Sequence, residues 1–228
     1  MLARDAAPSR LERAKEAIRA LAERAGGGRL GLVAFSGEAR LLVPLTRDAR
    51  GFAALAAAAD PLSVGRGGSD LGAALDEAAA ALGGRGDAPA AVFLLTDGED
   101  LGGRGLAAAR RLGEAGVAVH CVGYGSPRGA KIALEGEFLR DRAGREVVSR
   151  MDREGLRSLA AASGGEFEDG TAAASPLVDL LERRVLPAAR RATSEEERRE
   201  RTPRWQGPLA LALLLWILDL CGTWRRTS

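Results

Sequence analysis

Two short segments carry the side chains that are best suited to bind a metal ion. One is TDGED at residues 96–100, which ends an apolar run, and the other is GGSD at residues 67–70, which precedes an Ala-rich run. Between them they supply the carboxylates of Asp70, Asp97, Glu99 and Asp100 and the hydroxyls of Ser69 and Thr96. Hard oxygen donors without His or Cys suit Mg²⁺, Mn²⁺ or Ca²⁺ rather than zinc. Structural roles are the alternative, since Asp97-Gly98 can form a turn and Ser69 or Asp70 can cap the helix predicted over residues 70–82.

Other kinds of chemistry find little support in the residue types. The one histidine, His120, lies inside an apolar run, which favours a packed core residue. The two cysteines, Cys121 and Cys221, show neither a disulfide framework nor a metal-binding spacing. No nucleophile stands beside a candidate base, which counts against an enzyme. A formal net charge of +2 over 228 residues does not by itself indicate nucleic-acid binding.

The elements that must position the carboxylates follow from the hydrophobic pattern. Continuous apolar runs at residues 30–35, 91–96 and 117–125 are typical of strands buried on both faces. Predicted helices alternate with them, so the sequence predicts a doubly wound α/β domain with a mostly parallel sheet. Ligands of such sheets bind beyond the carboxyl ends of the strands, where the strand order reverses. We therefore expect TDGED and GGSD to meet at that edge.

Local signals refine this pattern. Ser9 and Glu12 have the spacing of a capping box at the start of a helix. Pro44 predicts that its strand is an edge strand or ends there, because proline cannot donate to a central ladder. Residues 138–149 predict a hairpin around Ala143-Gly144. A capped helix is predicted to start at Asp152.

The C-terminal region differs from the rest of the chain. The stretch from Pro208 to Leu218 is almost wholly apolar, and the 20 positions from Trp205 to Trp224 form a helix of roughly 30 Å, the thickness of a bilayer core. Asp219 lies near one end, where its carboxylate can reach the interface. The segment therefore predicts a transmembrane helix, with a buried or amphipathic terminal helix as the alternative. Residues 176–204, rich in Arg and Glu, predict a charged helical stalk.

The order of the motifs resembles a known family. The segments are APSRLERAK, RLGLVAFSGEARLLVPLT, GRGGSDLGAAL, FLLTDGED and AVHCVGYGSPRGAKI, followed by FLRDRAGREVVSRMD. As an ordered set they closely resemble a von Willebrand factor A (VWA) domain, above all the bacterial membrane-anchored group of the Bacteroides aerotolerance (Bat) type. The likeness runs from residue 1 to about residue 170. It implies a VWA-like domain over residues 1–175 that is incomplete at its N-terminus, followed by the stalk and the span.

The resemblance also implies a metal-ion-dependent adhesion site. The family takes metal ligands from a D-x-S-x-S loop after the central strand, from a Thr in a Gly-rich loop, and from an Asp that opens a D-G-x-x turn. Ser69 stands in place of that Thr and Asp97 in place of that Asp, with Asp70, Glu99 and Asp100 as possible outer-shell residues. The D-x-S-x-S loop is absent from the sequence. The family would hold Mg²⁺, Mn²⁺ or Ca²⁺ in a full-length parent, and we expect weak or no metal binding by this chain.

The missing D-x-S-x-S loop leads us to expect that the domain is truncated at its N-terminus. In the Bat-like pattern, D-x-S-x-S is followed by a Met and a segment like LARDAAPSRLERAK, so Met1 falls just after the missing motif. The central strand expected between residues 30–35 and 91–96 is then missing as well. A start codon assigned at an internal Met and a truly shortened gene are the two explanations.

The function implied by the resemblance is a non-enzymatic, membrane-anchored protein-interaction module. Its partners would be proteins, by resemblance a MoxR-type AAA+ ATPase and sister VWA proteins, together with membrane lipid and no nucleic acid. The chain would lie in the bacterial inner membrane through one C-terminal span. The resemblance favours a periplasmic domain for a full-length parent, whereas the arginines before the span favour the cytoplasm under the positive-inside rule. A metal-dependent phosphoester hydrolase using the TDGED carboxylates and a non-functional gene fragment are the alternatives.

Overall fold

The computed structural model describes residues 1, 3, 5, 8–60, 64, 68–83, 89–100, 102–126, 128–131, 133–134, 137–138, 144–146, 148–200 and 209–217. Its helices are α1 (Arg10–Arg24), α2 (Ala49–Ala58), α3 (Leu71–Leu82), α4 (Gly105–Glu114), α5 (Arg153–Ala162), α6 (Pro176–Leu180) and α7 (Leu186–Glu200), with a π-helical segment at Leu181–Val185. Its strands are β1 (Leu30–Phe35), β2 (Ala39–Thr46), β3 (Ala91–Thr96), β4 (Ala118–Gly123), β5 (Ala130–Lys131), β6 (Ala133–Leu134), β7 (Glu137–Phe138), β8 (Val148–Ser149) and β9 (Phe167–Asp169).

Side-chain caps begin three of the helices where the sequence predicts them. The Ser9 hydroxyl accepts a hydrogen bond from the Glu12 backbone N–H at 3.2 Å at the start of α1. The carboxylates of Asp70 and Asp152 accept from backbone N–H groups in the first turns of α3 and α5. Each cap satisfies a donor that the helix itself leaves without a partner, so these three predicted starts are confirmed.

The predicted parallel sheet is confirmed. β3 pairs with β4, and β4 pairs with β9, all in parallel. β4 lies in the middle of this sheet, and its residues from Val119 to Gly123 are all buried. The carboxyl ends of the three strands point to the same edge, which places the loop after Thr96 at the edge where ligands of such sheets bind.

β1 and β2 form a separate antiparallel pair. Pro44 lies in β2, which has β1 as its one neighbour among the described residues, so the edge-strand prediction is confirmed. No hydrogen bond in the described part of the chain joins β1 to β3. Most residues of both strands remain partly exposed, in contrast to those of β4. The further strand expected from the resemblance would lie at this place.

Helices cover both faces of the parallel sheet. Leu94, Val119 and Cys121 pack in one cluster with residues of α3, α4 and α5. Val122 and the following Tyr124 pack in a second cluster with residues of α1, α6 and the π-helical segment. Successive residues of a strand point to opposite faces, so β4 contributes to both clusters. This is the doubly wound arrangement that the sequence predicts.

The four short strands form two small antiparallel pairs. β5 pairs with β8, and β6 pairs with β7, both antiparallel. The hairpin predicted around Ala143-Gly144 falls largely on residues outside the described part, and the described residues at its two ends pair elsewhere, Phe138 with Ala133 and Ser149 with Ala130. Residues 139–143 and 147 lie outside the described part.

The chain divides into two compact units, residues Met1–Pro187 and Ala188–Ser228. Leu177, Leu180 and Leu181 are buried in the first unit, so that unit extends past the expected domain boundary at residue 175. Of the predicted span 205–224, residues 209–217 are described, and they are helical. Among the described residues, no helix has the length and apolar character needed to cross a bilayer. The rest of the predicted span lies outside the described residues.

Candidate functional site

Asp97 lies directly after β3, and the turn that follows it requires a glycine at position 98. Gly98 has a φ of +88°, and a Cβ on it would stand 2.9 Å from the Asp152 carbonyl oxygen. The Asp97 carbonyl accepts from the Asp152 N–H at 2.9 Å, and the Thr96 hydroxyl accepts from the Gly98 N–H at 3.1 Å. Thr96 therefore shapes the turn, and the loop is tied to the start of α5.

The carboxylate of Asp97 is buried and surrounded by donors. Its Oδ2 accepts a hydrogen bond from the Ser149 hydroxyl at 2.9 Å and one from Arg10 Nη1 at 3.2 Å. The Met1 ammonium lies 3.5 Å from the same oxygen. Two hydrogen-bond donors and a guanidinium charge thus converge on a single oxygen of Asp97, Oδ2.

Arg10 contacts Asp97, although no motif in the sequence marks Arg10 as a site residue. Its side chain is fully buried and forms a two-bond ion pair with Asp5, from Nε to Oδ1 at 2.7 Å and from Nη2 to Oδ2 at 2.8 Å. The hydrogen bond from Arg10 holds the pKa of the Asp5 carboxyl below its usual value, although burial opposes this shift. A signal was present, since Arg10 stands on the same helical stripe as the buried Ala14, Ala17 and Leu21.

The carboxylates of Asp70 and Asp100 accept hydrogen bonds from backbone N–H groups. Asp70 accepts from the Ala73 N–H at 2.9 Å and pairs with Arg104 at 2.5 Å. The Ala73 N–H first, and then Arg104, lower the pKa of the Asp70 carboxyl. Asp100 accepts from the N–H of Leu71 at 3.3 Å and from that of Gly105 at 2.8 Å. Asp100 therefore joins the first turns of α3 and α4.

Glu99 and Ser69, the two remaining predicted residues, also form hydrogen bonds with backbone N–H groups. Glu99 accepts from the Arg150 N–H at 3.2 Å. The Ser69 carbonyl accepts from the Gly102 N–H at 3.3 Å, so the two predicted loops do meet. They meet through the Ser69–Gly102 and Leu71–Asp100 hydrogen bonds, while Asp97 is bound to Arg10 and Ser149.

Protein donors already bond the predicted carboxylates in the described part of the chain. No group of three or more His, Cys, Asp or Glu side chains in the described part of the chain is arranged to hold one. The carboxylates of Asp70, Asp97 and Asp100 each accept hydrogen bonds from N–H donors, and an N–H donor is not a metal ligand. A guanidinium beside Asp97 would also repel an incoming cation.

His120 is a core residue, as its apolar context predicts. It is 3 % exposed, its ring lies 5.6 Å from that of Phe93, and its Nδ1 accepts from the Glu166 N–H at 3.2 Å. Burial lowers the pKa of the imidazole, because the charged form loses water. The ring packs in the core, and its Nδ1 holds the residue just before β9.

Comparison with known proteins agrees with this fold. Residues 1–99 match the von Willebrand factor type A domain family. BatB from Bacteroides thetaiotaomicron, described as a conserved hypothetical protein, is 30% identical with a TM-score of 0.72, over 74% of this chain and 83% of that chain. An aerotolerance-related membrane protein from Bacteroides fragilis is 31% identical with a TM-score of 0.75, over 80% of this chain and 91% of that chain. No curated protein matches the sequence significantly.

A parallel sheet with helices on both faces and a polar loop at its carboxyl edge defines the class of the domain. The chain belongs to the von Willebrand factor type A domain family, as a Bat-like member. The SpRpn10 VWA domain, at 17% identity and a TM-score of 0.52 over 79% of this chain and 87% of that chain, shares the fold.

Proposed function

We propose that the chain is a membrane-anchored protein-interaction module whose remnant metal site binds divalent ions weakly or not at all. Membership of the VWA family and the similarity to the Bacteroides membrane protein support the first part. The observation that carries the second part is the contact of the Asp97 carboxylate with Arg10 and Ser149. These donors take the place of a metal at Asp97.

The metal part of the proposal concerns Ser69 and Asp97 as remnant ligands. A mussel byssus relative of the fold, at 16% identity, is described with a zinc-occupied site of this kind, over 79% of this chain and 40% of that chain with a TM-score of 0.54. In a full-length parent the site would take Mg²⁺, Mn²⁺ or Ca²⁺ on oxygen donors. Asp70, Glu99 and Asp100 would contribute at most from the outer shell, because backbone N–H groups already bond them.

Titration calorimetry of the full chain with Mg²⁺ and Mn²⁺ tests this part. We expect no binding with a Kd in the micromolar range. A micromolar Kd that disappears in Asp97→Ala would overturn the proposal. Asp76→Ala is the matched control, because Asp76 forms an exposed ion pair with Arg111 away from Asp97.

The partners are proposed to be proteins. The family resemblance favours a MoxR-type AAA+ ATPase and sister VWA proteins. Because Asp97 has a protein cation beside it, we expect partner binding that does not need a divalent ion. Capture of the candidate ATPase by the full chain should survive EDTA, and release by EDTA would contradict a metal-independent module.

The membrane part of the proposal assigns residues 205–224 as the anchor in the bacterial inner membrane. The full chain should remain in the membrane fraction after a carbonate wash. A full chain that the wash releases would contradict the anchor. Protease added outside spheroplasts should cleave a periplasmic domain, the side favoured for a full-length parent, and should spare a cytoplasmic one.

A metal-dependent phosphoester hydrolase is the enzymatic alternative to the interaction module. No observation at the site favours it over an interaction module. Turnover of a generic phosphoester with Mg²⁺ that is lost in Asp97→Ala would establish it and would overturn the non-enzymatic proposal.

A further inference from the structure

Arg10 is an unusual residue for the buried side of a helix. Its side chain is fully buried, and its guanidinium is always charged at physiological pH. An isolated charge in such a place would cost far more than a hydrogen bond returns. Acidic partners must therefore be built around it, and the structure shows which they are.

Every nitrogen of the guanidinium has a partner. Nε and Nη2 donate to the two oxygens of Asp5, and Nη2 also donates to the Ser149 carbonyl at 3.2 Å. Nη1 donates to Asp97 Oδ2 at 3.2 Å and to the Ser149 hydroxyl at 2.8 Å. The Ser149 hydroxyl in turn donates to Asp97. One cation is thus shared by two carboxylates from distant parts of the sequence.

The backbone leaves room for this cation at Gly125. A Cβ at Gly125 would stand 2.6 Å from Arg10 Cζ and 2.8 Å from its Nε. Gly125 also has a φ of +135°, a conformation that residues with a side chain rarely adopt. The site is therefore shaped around the guanidinium on three sides, by Asp5, by Asp97 with Ser149, and by Gly125.

We propose that the Arg10 guanidinium is the resident cation of the Asp97 site and does there what a bound metal would otherwise do. It neutralises Asp97 and ties the loop after β3 to α1 and to β8. The proposal rests on the proposed function in that it concerns the same site. It adds a cause that applies to this chain: without a D-x-S-x-S loop, the Asp97 carboxylate is neutralised by a protein cation instead of a metal ion.

A purely structural ion pair is the competing explanation. Removal of Arg10 would then destabilise the chain in the same way with and without a divalent ion. If Arg10 instead holds the place of a cation, its removal leaves Asp5, Asp97 and Ser149 as converging oxygen donors. A divalent ion should then bind and restore part of the lost stability.

Thermal unfolding of the full chain with and without Mn²⁺ separates the two explanations. We expect no shift of the wild-type midpoint by Mn²⁺. Arg10→Ala and the polar variant Arg10→Gln should melt lower without the ion and should gain about 5 °C with Mn²⁺ in large excess over its Kd. Arg10→Ala combined with Asp97→Asn should lose this gain. Arg104→Ala, which removes an exposed partner of Asp70, is the control and should show no response.

Either Arg10 variant that folds and ignores Mn²⁺ would overturn the proposal. If Arg10→Ala folds only when refolded with Mn²⁺, the proposal is supported, and failure of both variants to fold with or without the ion overturns it. The two proposals fail separately. Micromolar metal binding by the wild-type chain contradicts the proposed function, whereas a silent wild type with silent Arg10 variants contradicts only this inference.

Discussion

Gly165 lies directly against the backbone of Val119. A Cβ placed on Gly165 would stand 2.0 Å from the Val119 carbonyl oxygen and 2.5 Å from its carbonyl carbon. The chain passes here from the end of α5 toward β9, next to the buried strand β4. No side chain fits in this contact, so the close approach fixes where α5 ends relative to the sheet.

Gly165→Ala should therefore be strongly destabilising. The backbone of β4 cannot move aside without disturbing both of its neighbours, and we expect a loss of about 3 kcal/mol or more in the free energy of unfolding. Gly27→Ala is the matched control. Gly27 has a φ of +91° and nothing near its Cβ position, so its replacement should cost only the backbone strain, about 1–2 kcal/mol. Equal losses in urea unfolding would show that the contact at Val119 is not tight in solution.

His120 should make stability depend on pH. Burial lowers its folded pKa below the ordinary 6.5, so the unfolded chain binds the proton more readily than the folded chain. The free energy of unfolding is then unaffected by this group above pH 6.5 and falls as the pH drops from 6.5 toward the folded pKa. The slope cannot exceed about 1.4 kcal/mol per pH unit, the limit for a difference of one bound proton.

The measurement compares wild type with His120→Gln by urea unfolding between pH 5 and pH 8. The difference between the two proteins should shrink or reverse below pH 6.5, because only the wild type has the imidazole. NMR titration of the one histidine in the chain gives its folded pKa directly. An imidazole pKa at or above 6.5 would refute the prediction.

Asp70 should act as a helix cap rather than as a metal ligand. Asp70→Ala removes the acceptor for the Ala73 N–H and should cost about 1 kcal/mol. Asp70→Asn keeps an amide oxygen as the cap and loses only the exposed pair with Arg104, so it should cost much less. Asp76→Ala, within the same helix, tests an exposed pair without a cap. Equal losses for Asp70→Asn and Asp70→Ala would contradict the capping role.

Hydrogen exchange should reveal the open edges of the sheets. β4 has a partner on each side, whereas β1 and β3 each have one partner in the described part of the chain. We expect slow exchange over the β4 amides that bond to its neighbours. Along β3, amides that point toward β4 should be protected, and the alternating ones should exchange faster. Uniform protection along β3 would show that another strand occupies its free edge.

The sequence predicts the fold well where local signals suffice. Continuous apolar runs identify β1, β3 and β4, but burial on both faces, which such runs indicate, is observed only for β4 among the three. Ser9, Asp70 and Asp152 mark helix starts, since their side chains act on groups three residues away. The pairing of Ser149 with Ala130 lies beyond such signals, because short strands of two residues carry no periodicity.

The site is harder to predict, for a physical reason. A carboxylate can bind a metal, a backbone N–H or a guanidinium, and its sequence context does not distinguish these partners. Asp97 and Arg10 are 87 positions apart, and only the folded chain brings them together. The sequence predicts the convergence of the two loops and the capping role of Asp70, but it does not predict that Asp100 binds the first turns of α3 and α4. A charged residue on the buried stripe of α1 was the clue to Arg10.

The buried Cys121 thiol provides a probe of how often the sheet around β4 opens. Its thiol is fully buried in the middle strand of the parallel sheet, and burial raises its pKa to about 12. Alkylating reagents attack the thiolate, so folded protein offers them neither access nor a reactive form. In a chain with Cys221→Ser, the rate at which iodoacetamide modifies Cys121 therefore reports how often the sheet around β4 opens.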